Sequence, residues 1–341
     1  MNDQAAGRGT TRAYRIDWVS ALLIISVAMT QAYLLVRMVD LPYLDARIEL
    51  HQAIIEGTAE SPYRYRVLVP HATEGIIRLI APSMGYTKAF VASYLLYDWA
   101  ALSFLFVALF AYLRTWFTNG LSLAGVFFVA ATIPLAFRHQ FFQPWSLLEP
   151  GFFALALWCI RMRREALLTV VIALAVLTRE TAIFIVFAYL LTATDPSNSH
   201  PDRWWPPSPR TTIRFFLYLL LWVLISVGLR LALGEAPLSV PIAEALEHNL
   251  KTASLLYTAR SWALFMGFFW VLAALGLKYA PPFVRRSAWV IPPYILAVLT
   301  FGIWYEVRLL MFLYPVLIPL GLSFLSHRMN VSRMRGAEER W

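Results

Sequence analysis

Charge is scarce in this chain. Only 14% of its 341 residues are charged, where a soluble domain carries roughly 25%. It has a single cysteine, Cys159, set inside an apolar run. That excludes a disulfide framework and a cysteine metal site. The histidines show no His-x-x-x-His spacing, and no serine stands in a nucleophile elbow. A Gly-rich phosphate loop, a dinucleotide fingerprint and an internal repeat are also lacking. These absences exclude the common soluble chemistries that announce themselves by short motifs.

Hydrophobic residues make up 60% of the chain. They fall in long runs from start to end, so the fold class is all-α and polytopic in a membrane. A transmembrane β-barrel would show short alternating segments instead. The net charge of +9 would suggest nucleic acid in a soluble protein. Here the basic residues sit mostly in short loops between apolar runs and set orientation, so no nucleic-acid partner is expected.

The runs give about ten transmembrane passes, three of which (from 151 to 160, 165–178 and 181–194) fall short of the roughly 20 residues that span a bilayer. They lie near 18–37, 89–113, 121–137, 146–160, 165–178, 181–194, 213–233, 261–277, 288–304 and 309–326. Arg8, Arg12 and Arg15 flank the first run, which is long for a signal-peptide core and reads as a retained helix. Basic loops at 161–164 and 278–286 then place both termini inside. Residues 1–341 read as one integral membrane domain, with outer loops 38–87 and 234–260 and a turn-rich cytoplasmic loop 195–212. The periodicity of 46–57, 66–80 and Ile242 to Tyr257 predicts amphipathic helices on the outer surface. Residues 165–178 and 181–194 are each too short to span, which predicts two short paired helices ending in a protein-lined cavity. One long tilted helix with a buried ion pair also fits 165–194.

Three ionic clusters press against apolar segments: Tyr63-Arg64-Tyr65-Arg66, Thr178-Arg179-Glu180-Thr181 and Tyr305-Glu306-Val307-Arg308. Charge at membrane depth is costly and usually functional. The topology puts all three on one side, which predicts one polar cavity opening to one face. Arg64 and Arg66 would point the same way in an extended segment and suit a phosphate or carboxylate. Snorkelling among headgroups is the alternative. Arg179–Glu180 and Glu306–Arg308 are either site residues or self-satisfied structural pairs. Asp45 and Glu49 share a helix face, and a carboxylate there can serve as a general base. A solvated interfacial charge is the plain alternative. Glu149 with Arg138 and His139 is a fourth candidate that reads rather as structural, and Asp98 in mid-helix is either functional, as intramembrane carboxylates usually are, or bonded to a neighbouring helix.

The arrangement resembles the GT-C class of membrane glycosyltransferases, closest to small bacterial members. The resemblance rests on Asp45-Ala46 … Pro62-Tyr63-Arg64-Tyr65-Arg66-Val67-Leu68-Val69-Pro70 after the first helix, then Leu177-Thr178-Arg179-Glu180-Thr181 and Glu306-Val307-Arg308 … Pro315. Two departures from the class are that Asp40 and Asp45 are separated rather than a close acidic pair, and that no soluble outer domain follows. The resemblance implies a polyprenyl-phosphate sugar donor in a bacterial inner membrane, with a glycan or lipid as acceptor. It implies Asp45, with Asp40 second, as the base. It implies Arg64, Arg66 and Arg308 on the departing lipid phosphate, with Arg179 and Glu180 orienting groups at the cavity floor beside Glu306. The pattern neither demands nor excludes a divalent metal. The rival readings are a transporter and a non-catalytic lipid-binding scaffold.

Overall fold

The computed structural model describes residues 17–137, 142–193 and 207–338. Among them every regular element is helical, and the one β contact is an isolated bridge between Ser61 and Leu238. The helix α1 (Trp18–Leu35) starts on an N-cap, Asp17, whose Oδ1 accepts from the Ser20 backbone N–H at 2.9 Å. That bond holds the Asp17 carboxyl below the usual carboxylate range. A π turn at Val36–Asp40 and a 3-10 turn at Leu41–Tyr43 carry α1 on into α2 (Leu44–Ile55). A second tight turn, Tyr63–Tyr65, leads into α3 (Leu68–Met84), and Gly85, at φ 83°, permits the reversal into α4 (Tyr86–Leu113). Next come α5 (Asn119–Phe137) and α6 (Trp145–Arg161). The short pair α7 (Glu165–Thr178) and α8 (Ile183–Thr192) follows. The rest are α9 (Pro209–Leu233), α10 (Ile242–Leu250), α11 (Thr252–Met266), α12 (Phe269–Gly276), α13 (Pro282–Ser287), α14 (Ile291–Phe301) and α15 (Tyr314–Glu338).

Among the described residues five helices are long and apolar enough to cross a membrane, and a sixth span results if α11 and α12 count as one. Those two meet at 70° around Gly267, whose φ of 53° suits a residue without Cβ. Each of the ten apolar runs carries helix, yet α7, α8 and α14 are only 14, 10 and 11 residues long. The amphipathic segments 46–57 and 66–80 correspond to α2 and α3, whereas 242–257 is split at Lys251 into α10 and the start of α11. Loop 195–212 lies mostly outside the described residues, as do Arg138 and His139.

Helix α6 is the centre. It is buried along nearly its whole length and packs on α4, α7, α8, α15 and the 3-10 turn Val307–Leu313. Its Gly151 lets α4 approach, since a Cβ there would strike Phe104. Helix α9 is the opposite case: Ile213, Phe216, Leu217, Leu220, Leu224 and Leu231 are exposed, the mark of a lipid-facing surface. Helices α12 and α15 touch most closely at Gly276, where an added Cβ would collide with the Leu320 carbonyl. Gly276→Ala is therefore expected to cost about 1–3 kcal/mol of stability by overpacking. Thermal unfolding in detergent checks it, with Gly75→Ala as the control because a Cβ there meets open space.

Candidate functional site

Two polar groups lie inside the apolar bundle, and the start of α6 belongs to both. The first gathers the three charged clusters. Arg66 ends the tight turn before α3, Arg179 stands extended (φ −165°, ψ 144°) between α7 and α8, and Arg308 sits in the 3-10 turn leading to α15. Each arginine thus occupies a break in helical structure, where a long side chain can reach inward between helices. All three are more than nine-tenths buried. Arg66 bonds Glu180 at 2.7 Å, Arg179 bonds Glu149 at 2.6 Å and Arg308 bonds Glu306 at 2.5 Å. Arg308 is near enough to Arg66 and Arg179 to feel both charges. The three motifs are therefore one cluster.

Helix α6 supplies its floor. Glu149 takes Arg179 and the Thr181 hydroxyl, Ser146 accepts from Arg308 at 3.5 Å, and the Trp145 ring lies 5.0 Å from the Arg66 guanidinium. The Tyr63 ring lies 5.6 Å from the same guanidinium and 5.8 Å from the Trp145 ring. From α9, Trp222 donates its indole N–H to the Glu180 carbonyl at 3.0 Å. The carboxylates differ in access: the Glu149 side chain is 5% exposed and that of Glu180 is 40%. The Arg66–Glu180 pair is consequently the one that opens outward.

One detail sets this cluster apart from three closed ion pairs. The Nε–H groups of Arg66, Arg179 and Arg308 are all buried without a hydrogen-bond acceptor. A buried, unpaired charged donor is costly. Three of them within one cluster bring donors and positive charge together, which suits an anion.

The second group lies between α1, α2 and α4. Asp40 Oδ1 accepts from Arg47. The continuous path from α1 through the π and 3-10 turns makes this bond over seven residues. The Arg47 guanidinium lies 5.1 Å from the Tyr94 ring centroid and 5.4 Å from that of Phe142. Asp98 of α4 is near enough for its charge and that of Asp40 to act on each other. Leu35, Val39, Asp40, Arg47, Asp98, Phe137, Gln143, Pro144 and Leu147 line a small cavity. Its volume is about 20 Å³, where one water needs about 10–15 Å³. Asp40 Oδ2 and Gln143 Oε1 are buried acceptors with no donor. Gln143 also reaches the first group, its amide Nε2 standing 3.5 Å from the Tyr63 hydroxyl. Beyond Tyr94, His51 bridges the Tyr94 hydroxyl at 2.9 Å and Glu74 at 3.1 Å.

Of the sequence candidates, Arg66, Arg179, Glu180, Glu306 and Arg308 come together and Asp40 joins the second group. Arg64 does not join Arg66, because the segment turns at 63–65 instead of running extended. Its guanidinium donates to the carbonyls of Ala59 at 3.0 Å, Glu235 at 2.9 Å and Leu233 at 3.3 Å. Tyr65 adds a bond to the Gly234 carbonyl. Arg64 therefore clasps the C-terminal end of α9. Arg64→Ala is expected to lose about 1–2 kcal/mol of stability and leave affinity for a lipid phosphate unchanged, a split that unfolding and binding measurements read separately. Asp45 is exposed in the first turn of α2 and makes no ion pair among the described residues. Sequence reasoning did not single out Arg47, Gln143, Trp145, Ser146 or Trp222, and it read Glu149 as structural. The usable signal was Glu149 itself, a carboxylate before Pro150 in an otherwise apolar stretch. Among the described residues no three His, Cys, Asp or Glu side chains gather as a metal site. Neither the family models nor the curated proteins nor the solved structures compared with this chain include a match to it.

Proposed function

We propose that this chain is a membrane glycosyltransferase that moves a sugar from a polyprenyl-phosphate donor to an acceptor hydroxyl on the outer face of a cell membrane, by a single inverting displacement. The observation that carries the reading is the set of three buried Nε–H donors at Arg66, Arg179 and Arg308. An arriving phosphate answers all three and offsets the mutual repulsion of the guanidinium groups. In this reading the chain makes about ten passes with both termini inside, the shorter passes ending at the polar groups rather than crossing alone.

Asp40 is the carboxylate we assign as base. Arg47 holds one oxygen, which leaves Oδ2 to take the acceptor proton. The acceptor oxygen then attacks the anomeric carbon as the bond from that carbon to the phosphate oxygen breaks. The electron pair leaves with the lipid phosphate and is stabilised at the arginines. Residues 143–149 line both groups, which brings the base side and the phosphate side onto one segment.

Arg66→Gln and Arg308→Gln should each weaken donor binding and turnover together, because the phosphate is charged before and after transfer. A loss of about tenfold in donor affinity per arginine fits one charge-assisted bond, and titration with a polyprenyl phosphate measures it. The activity itself is tested with purified protein in nanodiscs and a panel of polyprenyl-phosphate sugars. Release of the lipid phosphate is the expected result, and no release across the panel contradicts it. A transporter reading draws on the bent pair α11–α12 and on the buried carboxyls of Asp40, in the turn after α1, and Asp98 of α4. It requires sugar or lipid to cross the bilayer unaltered.

A further inference from the structure

The cavity between Asp40 and Asp98 has an imbalance of hydrogen-bonding groups. Its polar walls are the two carboxyls, the Gln143 amide and the Arg47 guanidinium. Asp40, Asp98 and Gln143 are each more than nine-tenths buried. Asp40 Oδ2 and Gln143 Oε1 both lack a donor. Arg47 serves Asp40 Oδ1. Among the described residues it is the one cation lining the cavity, set against two carboxyls. Nearby polar groups of α4 are hydroxyls: Tyr94 contacts Thr73 and His51, and Tyr97 donates to the Pro144 carbonyl at 2.7 Å. Two neighbouring carboxylates with one guanidinium leave an uncompensated charge in an apolar bundle, which is costly. One proton held by the pair removes that charge and creates the missing donor.

We propose that Asp40 and Asp98 form an acid pair holding one proton, with Asp98 as the neutral, hydrogen-bond-donating member and Asp40 as the ionised one. The volume then admits a single water or hydroxyl, placed by the Asp98 O–H and donating to Asp40 Oδ2 or Gln143 Oε1. This rests on the reading of Asp40 as base. It makes Asp98 a positioning residue that presents the hydroxyl to that base, rather than a proton acceptor. Environments that push two carboxyls to opposite protonation states are a recurrent way to divide acid and base roles.

Two measurements decide it, both on the full chain in nanodiscs. Infrared difference spectra between light and heavy water should show a protonated-carboxyl band at neutral pH. The band should vanish in Asp98→Asn and persist in Asp45→Asn. Its absence from the wild type, or its survival in Asp98→Asn, overturns the proposal whether or not the protein transfers sugar. In turnover, Asp98→Asn keeps a neutral donor and should stay within about threefold of wild type, the scale of one altered neutral hydrogen bond. Asp98→Leu removes the donor and should lose roughly 10²-fold. A folded Asp98→Asn variant that loses roughly 10²-fold in turnover means that Asp98 acts ionised, which contradicts the assignment. A wild type with the band but no sugar transfer sinks the glycosyltransferase reading and leaves the acid pair standing.

Discussion

Asp40→Asn is expected to lose about 10²–10⁴ in sugar-transfer rate, the usual effect of removing a general base, while Asp45→Asn retains near-normal turnover. Both lie beyond the first helix and both are acidic, so sequence position alone ranks them together. Their surroundings separate them. Asp45 is exposed and free of ion pairs among the described residues. Asp40 is buried, bound by Arg47 on one oxygen and open to a water-sized cavity on the other. Asp40→Asn also strips a buried guanidinium of its carboxylate, which itself destabilises. The double variant Asp40→Asn/Arg47→Gln removes both charges. It should recover most of the lost stability and none of the lost turnover. Recovery of turnover in the double variant would mean that Asp40 only neutralises Arg47. Loss of activity in Asp45→Asn with normal turnover in Asp40→Asn would place the base on the surface of α2.

The second large effect is structural. Glu149→Leu should destabilise the protein by about 3–5 kcal/mol, the scale of breaking a buried pair by removing one partner. Glu149 holds Arg179 at 2.6 Å and the Thr181 hydroxyl from the middle of the core. Those two bonds tie the break between α7 and α8 to α6. Their loss leaves Arg179 charged and buried without its bonded carboxylate, beside Arg308. Glu149→Gln keeps an acceptor and should lose less. Chemical or thermal unfolding in detergent reads the series Glu149, Gln, Leu. A Leu variant within about 0.5 kcal/mol of wild type, the scatter of neutral surface substitutions, would show that Arg179 finds another partner and that the α7–α8 junction is not anchored there.

Much of the helical architecture was legible in the sequence because apolar runs and loop charges report helices directly. The break at Arg179–Glu180 was legible for the same reason: two runs of 14 residues cannot each span. Span count was less so, since run length does not say whether α8 or α14 ends against protein or lipid. The convergence of Arg66, Arg179 and Arg308 followed from placing three charged breaks on one side. Pairing did not follow. Arg179 and Glu180 are neighbours in sequence but bond Glu149 and Arg66, because the extended backbone at Arg179 sends the two side chains apart. Arg64 and Arg66 diverge because a tight turn replaces the extended segment that Pro62 and the tyrosines suggested. The Asp40–Arg47 bond was invisible to helix-spacing rules, since it depends on one π turn and one 3-10 turn in succession.

The central claim is that three arginines from distant parts of the chain make one phosphate site. It is tested most directly by an experimental structure of the protein in nanodiscs with a polyprenyl phosphate bound. The phosphate is expected within hydrogen-bond distance of Arg66, Arg179 and Arg308, with the Arg66–Glu180 pair opened to admit it. A phosphate resolved away from these three, for instance at the Arg64 clasp on α9 or among exposed side chains of α2 and α3, with all three ion pairs still closed, would contradict the account.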